Sequence, residues 1–332
     1  MDGPCRAVLE ELSKQEGLRV AAQEPLSRHT SFGVGGPADI YIEPATPQAL
    51  AAALRLLHHS GIPYIVIGKG TNLLVTDAGV RGAVISLYPS MAQVRFSGRR
   101  CRAQAGSTLG KVCHMAADAG LSGMEFTAGI PGTVGGALIM NAGANGGCVA
   151  DVVVSVTVLD AQINLHTLTK DELSWYYRDS DLRRRGLCVV QAEFELTPSS
   201  PAAVHREVYQ MLQRRCERHP LGHRSAGSIF KRPSRDYPGR LLELAGAKGL
   251  RVGGAEISTK HANFIINTGS ATATDVLKLI RRAREMVHDK FGVWLETEVC
   301  IIGQLPDELA DDPFLRQAVT PFCATAEQHS QD

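Results

Sequence analysis

Gly123-Met124-Glu125-Phe126-Thr127-Ala128-Gly129-Ile130-Pro131-Gly132-Thr133-Val134-Gly135-Gly136-Ala137-Leu138-Ile139-Met140-Asn141-Ala142-Gly143-Ala144-Asn145-Gly146-Gly147 carries eight glycines in 25 positions and no charge after Glu125. Glycine lacks a Cβ, so it adopts φ > 0 freely and lets backbone amides approach a ligand closely. Such density between apolar residues points to backbone wrapped around an extended anion, such as the phosphates of a cofactor. A run of tight turns in a β-rich domain is the alternative.

Upstream, Ile65-Val66-Ile67-Gly68-Lys69-Gly70-Thr71-Asn72-Leu73-Leu74-Val75 sets a second glycine turn between two apolar runs, which reads as strand, phosphate-sized turn, strand. A third cluster, Thr30-Ser31-Phe32-Gly33-Val34-Gly35-Gly36-Pro37-Ala38, satisfies G-x-G-x-x-A at Gly33, Gly35 and Ala38. In a dinucleotide-binding Rossmann unit that turn must open a helix. Here Pro37 interrupts it and Ala38-Asp39-Ile40-Tyr41-Ile42-Glu43 follows with strand period, which excludes the Rossmann fold.

Around these turns the pattern is mixed α/β. Ala49, Leu50, Ala53, Leu54 and Leu57 form one stripe of a helix over 47–59, followed by strands at 64–67 and 83–87. A helix over 108–119 and strands at 151–159 and 187–196 make a second lobe, and Pro198-Ser199-Ser200-Pro201 breaks the pattern as a linker does. Helices are expected over 202–218 and 274–291, the latter stopped by Gly292, and a last strand runs from Glu298 to Ile302. The expected organisation is therefore a two-lobed domain over 1–200, with lobes of about 23–97 and 98–200. A second domain follows over 201–303, and then a loosely held polar tail over 304–332.

The 332 residues have a formal net charge of +1, and the densest basic run is Arg183-Arg184-Arg185. That balance argues against nucleic acid and anionic membrane as partners. No run of ~18 apolar residues occurs and the amino terminus is polar, so a cytoplasmic location is expected. The eight cysteines show no C-x-x-C pair and the eleven histidines no ligand spacing; they are read as thiols of a reducing compartment, and no metal site is expected.

In order and spacing, the three glycine clusters are joined by several further motifs. These are Tyr176-Tyr177-Arg178-Asp179-Ser180, Ala226-Gly227-Ser228-Ile229-Phe230-Lys231, Gly249-Leu250-Arg251-Val252-Gly253-Gly254-Ala255-Glu256-Ile257-Ser258, His261-Ala262-Asn263-Phe264-Ile265-Ile266-Asn267 and Glu298-Val299. Together they resemble the UDP-N-acetylenolpyruvoylglucosamine reductases of bacterial cell-wall synthesis, over roughly residues 23–303.

The resemblance implies a two-lobed FAD-binding domain of the vanillyl-alcohol-oxidase (PCMH) type and a C-terminal α+β substrate domain. It implies non-covalent FAD, NADPH as reductant, a UDP-sugar substrate and no obligate protein partner. FAD would be held by Gly68, Lys69, Gly70, Thr71, Asn72 and Leu73 in one turn, and by Gly129, Ile130, Pro131, Gly132, Gly135, Gly136, Asn141, Ala142 and Gly143 in the other.

Hydride delivery to an enolpyruvyl ether puts charge into a carboxylate-conjugated enolate, which calls for cations or donors and one acid. By resemblance Arg178 grips the carboxylate, Ser228 protonates C2 and Glu298 donates to the enolate; Tyr177, Lys231 and Arg232 bind substrate. Taken alone, Arg178 reads equally as a loop arginine, Ser228 as a turn serine, and Asn263 and Asn267 as structural. Spacing does not separate Glu298 from Glu296.

Many family members carry asparagine at the position of Arg232 and arginine at that of Cys300. The rival reading is a flavin-dependent oxidase of the same fold acting on an alcohol or sugar. Such oxidases often tether the flavin through histidine or cysteine, and neither residue occurs in the turns before Cys148.

Overall fold

A computed structural model describes residues 3–321 of the chain. The first lobe contains helix α1 (Gly3–Ser13), strands β1 (Leu18–Pro25) and β2 (Pro37–Pro44), helix α2 (Pro47–His59), and strands β3 (Tyr64–Ile67), β4 (Leu73–Val75) and β5 (Val80–Ser86). Pro37 opens a strand, so the third glycine cluster enters β2 as the alternating pattern requires. β1, β2, β5 and β3 form one sheet in that order; β1 runs antiparallel to β2, and β2, β5 and β3 are parallel.

α2 starts where Thr46 accepts a hydrogen bond from Ala49 N and Pro47 fits the first turn. Its stripe buries Leu50, Leu54 and Leu57 at 1 % exposure or less. Each such leucine contributes about 1.5–3 kcal/mol of transfer free energy.

The second lobe is an antiparallel sheet. Strands β6 (Val94–Ser97), β7 (Arg100–Gln104), β8 (Val153–Leu159), β9 (Leu165–Thr169) and β12 (Cys188–Glu195) lie in the order β9-β8-β12-β7-β6. Because residues 94–97 pair with β7, the lobes part before residue 94, not at 97. Helix α3 (Leu109–Asp118) lies where helical period placed it. The 123–147 stretch is not all turn: it holds the short helix α4 (Val134–Ile139), capped when Thr133 accepts from Gly136 N. Between β9 and β12, strands β10 (Trp175–Tyr176) and β11 (Asp179–Ser180) make a small hairpin.

Helix α5 (Pro201–Arg218) follows the Pro-Ser-Ser-Pro break as expected, but its packing moves the boundary. Val204 and Val208 are buried in the core of the first two lobes, and the helix contacts α3 and the short turn of helix at Glu125–Thr127. The change of core therefore falls near residue 219 instead of 201. A break in composition marks where the chain turns, and the apolar stripe that follows decides which core it joins.

The remaining elements are helix α6 (Pro238–Leu244), strands β13 (Arg251–Val252), β14 (Ala255–Ile257) and β15 (Ile265–Asn267), helix α7 (Ala273–Phe291), strand β16 (Cys300–Ile302) and helix α8 (Pro313–Ala318). They share a second core with Phe32, Val34 and Leu74 of the first lobe. β16 pairs in parallel with β4, and Asp77 caps α7 by accepting from Ala273 N (2.8 Å) and Thr274 N (2.9 Å). Gly292 ends α7 at φ 68°.

The segment beyond Gly303 is not loose as far as residue 319. Leu309 and Leu315 are buried in the second core, and Phe314 stacks on Arg284. Asp307, Glu308 and Asp311 are exposed and Asp312 caps α8, so the acidic composition coexists with buried leucines and suggested a tail; residues 322–332, with Cys323, lie outside the described residues. No helix among the described residues is long and apolar enough to cross a membrane.

Candidate active site

Three distant segments converge on one cavity of about 640 Å³, lined among others by Tyr177, Arg178, Ser228, Arg232 and Glu298. That volume suits a ligand of substrate size. Arg178 comes from the β10–β11 hairpin, where Tyr177 and Arg178 form the two-residue turn between Tyr176 and Asp179. Its φ is 57°, a left-handed backbone that costs an L-residue about 1–2 kcal/mol. Outliers of this kind gather at functional sites. The hairpin is held in place from α4: Ser180 Oγ donates to Ile139 O (2.9 Å) and Asn141 Nδ2 donates to Tyr176 O (3.0 Å).

Ser228 follows Gly227 and lies on a short extended segment gripped from both sides. Ile229 N donates to Asn263 O (2.9 Å), and the Asn263 amide clasps Phe230 through both N–H and C=O (3.0 and 2.9 Å). From the other side Glu298 N donates to Ile229 O (2.7 Å). Backbone pairing thus fixes Ser228 relative to Glu298. No described residue is hydrogen-bonded to Ser228 Oγ, which leaves the hydroxyl available to a ligand in the cavity.

Glu298 lies just before β16 and not within it, because regular pairing with β4 begins at Cys300. Its carboxylate accepts from Arg178 Nε at 2.8 Å, with side-chain exposures of 16 % for Glu298 and 22 % for Arg178. Burial raises the Glu298 pKa despite the opposing pull of Arg178 and Lys231. Glu296 is different in kind: 75 % exposed, it reaches Lys231 Nζ at 3.5 Å. The two carboxylates that spacing left equivalent therefore have opposite environments, and only Glu298 faces the cavity.

Tyr177 and Arg232 are joined, since Arg232 N donates to the Tyr177 hydroxyl (3.3 Å). Lys231 is directed to Glu296 and does not line the cavity. Tyr237, Arg240, Lys260 and His261 do line it, and sequence reading did not single them out as site residues. Lys260 and His261 adjoin a motif already visible, so their neighbourhood was the available signal. Tyr237 and Arg240, at the start of α6, had none. Asn263 clasps Phe230 and also lines the cavity, whereas Asn267 lies outside it, donating to Phe32 O (3.0 Å) and accepting from Gly269 N and Ala271 N.

The two glycine turns lie against one another. A Cβ on Gly68 would strike the Thr133 hydroxyl, one on Gly70 would strike the His29 carbonyl, and one on Gly132 would sit 3.7 Å from Thr71 Oγ1. Among the described residues nothing accepts a hydrogen bond from the backbone N–H groups of Gly68, Lys69, Gly70, Thr71 and Asn72, or from those of Gly129, Gly132 and Thr133. Unengaged amides gathered around Gly68 and Gly70, where no side chain fits, form an anion cradle, and that fits a pyrophosphate-bearing cofactor.

Two expected cofactor residues use their side chains elsewhere. Asn72 Nδ2 donates to Glu298 O (3.0 Å), tying the first turn to the cavity, and the Asn141 amide holds the hairpin. Gly135 and Ala142 spend their N–H groups on Ala105 O and Ala137 O. Among the described residues no cluster of three His, Cys, Asp or Glu side chains could hold a metal ion.

Comparison with known proteins agrees with this geometry. Residues 219–302 match the model of the UDP-N-acetylenolpyruvoylglucosamine reductase C-terminal domain, and residues 38–169 match an FAD binding domain model. The UDP-N-acetylenolpyruvoylglucosamine reductase of Moorella thermoacetica is 46 % identical over 298 residues, 90 % of this chain and 98 % of that one. The chain belongs to this reductase family. The relative from Desulforamulus reducens is 42 % identical over 285 residues, covering 86 % of this chain and 94 % of its own. The crystal structure of the Thermus caldophilus reductase superimposes with a TM-score of 0.75 at 37 % identity, over 86 % of this chain and 99 % of that one. The matched C-terminal model begins at 219, where the core changes.

Proposed function

We infer that the chain reduces UDP-N-acetylenolpyruvoylglucosamine to UDP-N-acetylmuramate, using FAD and NADPH, and so supplies a precursor of peptidoglycan. When bound, FAD would supply the hydride-carrying chemistry that links NADPH oxidation to reduction of the enolpyruvyl ether at C3. The unengaged backbone amides of residues 68–72 and of Gly129, Gly132 and Thr133 would hold its phosphates. The single observation that carries the reading is the convergence of Arg178, Ser228 and Glu298 on one cavity joined by Asn72 to the first of those turns.

Within the cavity Arg178 binds the substrate carboxylate through its guanidinium fork. That contact draws Arg178 away from Glu298, removes the charge that favours its carboxylate form, and leaves a half-buried carboxyl ready to hold a proton. Protonated Glu298 then donates to the carboxylate-conjugated enolate as charge develops there. Ser228, whose hydroxyl is not committed elsewhere, gives its proton to C2. Tyr177 and Arg232 contact the UDP portion, and Lys231 acts at the rim through charge alone.

The oxidase alternative has nothing in its favour, since the relatives over nearly the whole chain are reductases. We place the reaction in the cytoplasm, without nucleic acid, membrane or obligate protein partner; this rests on the balanced charge and on the thiols at Cys101, Cys113, Cys148, Cys216 and Cys300. The testing experiment is anaerobic reduction of the flavin by NADPH, followed by mixing with the enolpyruvyl sugar nucleotide. Prompt reoxidation with formation of the muramate product is expected, and a flavin that stays reduced refutes the reading.

A further inference from the structure

Arg215 lies in the last turn of α5, on the side packed against the first core. Its Nε is closed off from solvent and has no hydrogen-bond partner, and no described carboxylate is within ion-pairing distance of its guanidinium. The arginine remains charged even so. The residue as a whole is half-buried, and it is the closed-off Nε donor that lacks a partner; folded proteins either pair such a donor or bring it a ligand. The helix C-terminus offers only partial negative charge. Nearby His219 brings no compensation, because burial and the Arg215 charge hold it neutral, with its pKa pushed down to about 4.

The position of the side chain says what it waits for. A Cβ built on Gly129 would fall 2.5 Å from Arg215 Cδ and 3.3 Å from its Nε. The arginine stem therefore lies directly across Gly129, a left-handed glycine (φ 75°) that opens the second turn and whose own N–H has no acceptor. An uncompensated cation and unengaged amides share one spot. The chemistry that satisfies both is a phosphate or pyrophosphate anion.

We propose that Arg215 is the side-chain counter-charge for the flavin pyrophosphate, reaching from α5 across Gly129 to supply the positive charge that the glycine turns cannot. The proposal rests on the flavin reading and gives α5, at the junction of the two cores, a part in holding the cofactor. It also accounts for the glycine at 129, where any side chain would displace the arginine.

The test titrates the flavin-free full-length chain with FAD and with riboflavin, which shares the ring system and lacks phosphate, and the flavin-loaded chain with UDP and NADPH. Arg215→Met, which keeps the stem and removes the charge, is expected to weaken FAD by about tenfold or more and to leave riboflavin, UDP and NADPH within threefold. Arg215→Lys should recover part of the FAD affinity. The flavin-free Arg215→Met chain should melt no lower than wild type, because the charge it lacks had no partner.

Equal weakening of FAD and riboflavin, or a lower melting temperature of the flavin-free variant, assigns Arg215 to packing and overturns the proposal. So does an effect confined to UDP or NADPH, or an FAD affinity within threefold of wild type. Failure of the wild-type chain to bind FAD at all would instead strike the underlying flavin reading.

Discussion

At Gly70 a single Cβ would run into the His29 carbonyl, and the backbone there is left-handed (φ 65°). At Glu298 the carboxyl group is what matters: it is half-buried, raised in pKa and bonded to Arg178. The glycine turns bind through amides and exclude side chains, while the cavity acts through side chains held by the backbone around them. Asn72 belongs to both regions, with its N–H in the first turn and its side-chain amide on the Glu298 carbonyl. Substitutions in the turns should therefore affect everything the cofactor does, and substitutions in the cavity should affect one half-reaction.

The largest effect is expected in the cavity. Arg178→Ala and Glu298→Ala should slow reoxidation of the reduced flavin by substrate about 10²–10³-fold and leave flavin reduction by NADPH near wild type, as measured by stopped flow. An effect below tenfold, or an equal loss in both half-reactions, breaks the distinction. The pH profile sharpens it. Because burial raises the Glu298 pKa and the acid form is the donor, reoxidation should fall as pH rises through that pKa, while reduction by NADPH should not follow the same curve. Glu298→Gln, which keeps an N–H donor, should flatten the alkaline fall; persistence of the fall assigns it to another group.

In the turns, Gly70→Ala should destabilise the chain by about 1–3 kcal/mol, from strain at positive φ and from the clash, and should release flavin. A denaturant melt and the absorbance of the purified protein check this. The smallest effect is expected next door. The Lys69 side chain is exposed and lies over the Tyr88 ring, so Lys69→Ala should leave FAD affinity within about threefold, as expected for a surface contact. A large loss would show that the first turn uses a side-chain charge after all.

Much of this was legible in the chain. The apolar stripe of α2, the period of α7 with Gly292 at its end, and Pro37 ahead of an alternating run each state a local rule that the fold obeys. What escaped depends on partners distant in sequence. Nothing local in α5 says which core will take Val204 and Val208, and the acidic composition after Gly303 hid Leu309 and Leu315. In the site, motifs led to Arg178, Ser228 and Glu298, but spacing could not separate Glu298 from Glu296. Only the hairpin bringing Arg178 across 120 residues of sequence does that. The direction of the Lys231 side chain was hidden for the same reason, since its partner Glu296 is 65 residues away.

The most direct test of a cavity dedicated to the second half-reaction is Ser228→Ala, followed through both half-reactions by stopped flow beside a denaturant melt. The expected result is a variant that binds FAD, is reduced by NADPH at close to the normal rate, melts as wild type does, and fails chiefly in turning substrate over. Reoxidation within threefold of wild type, accompanied by a stability loss of about 0.5–1.5 kcal/mol, would make Ser228 a turn serine and contradict the account.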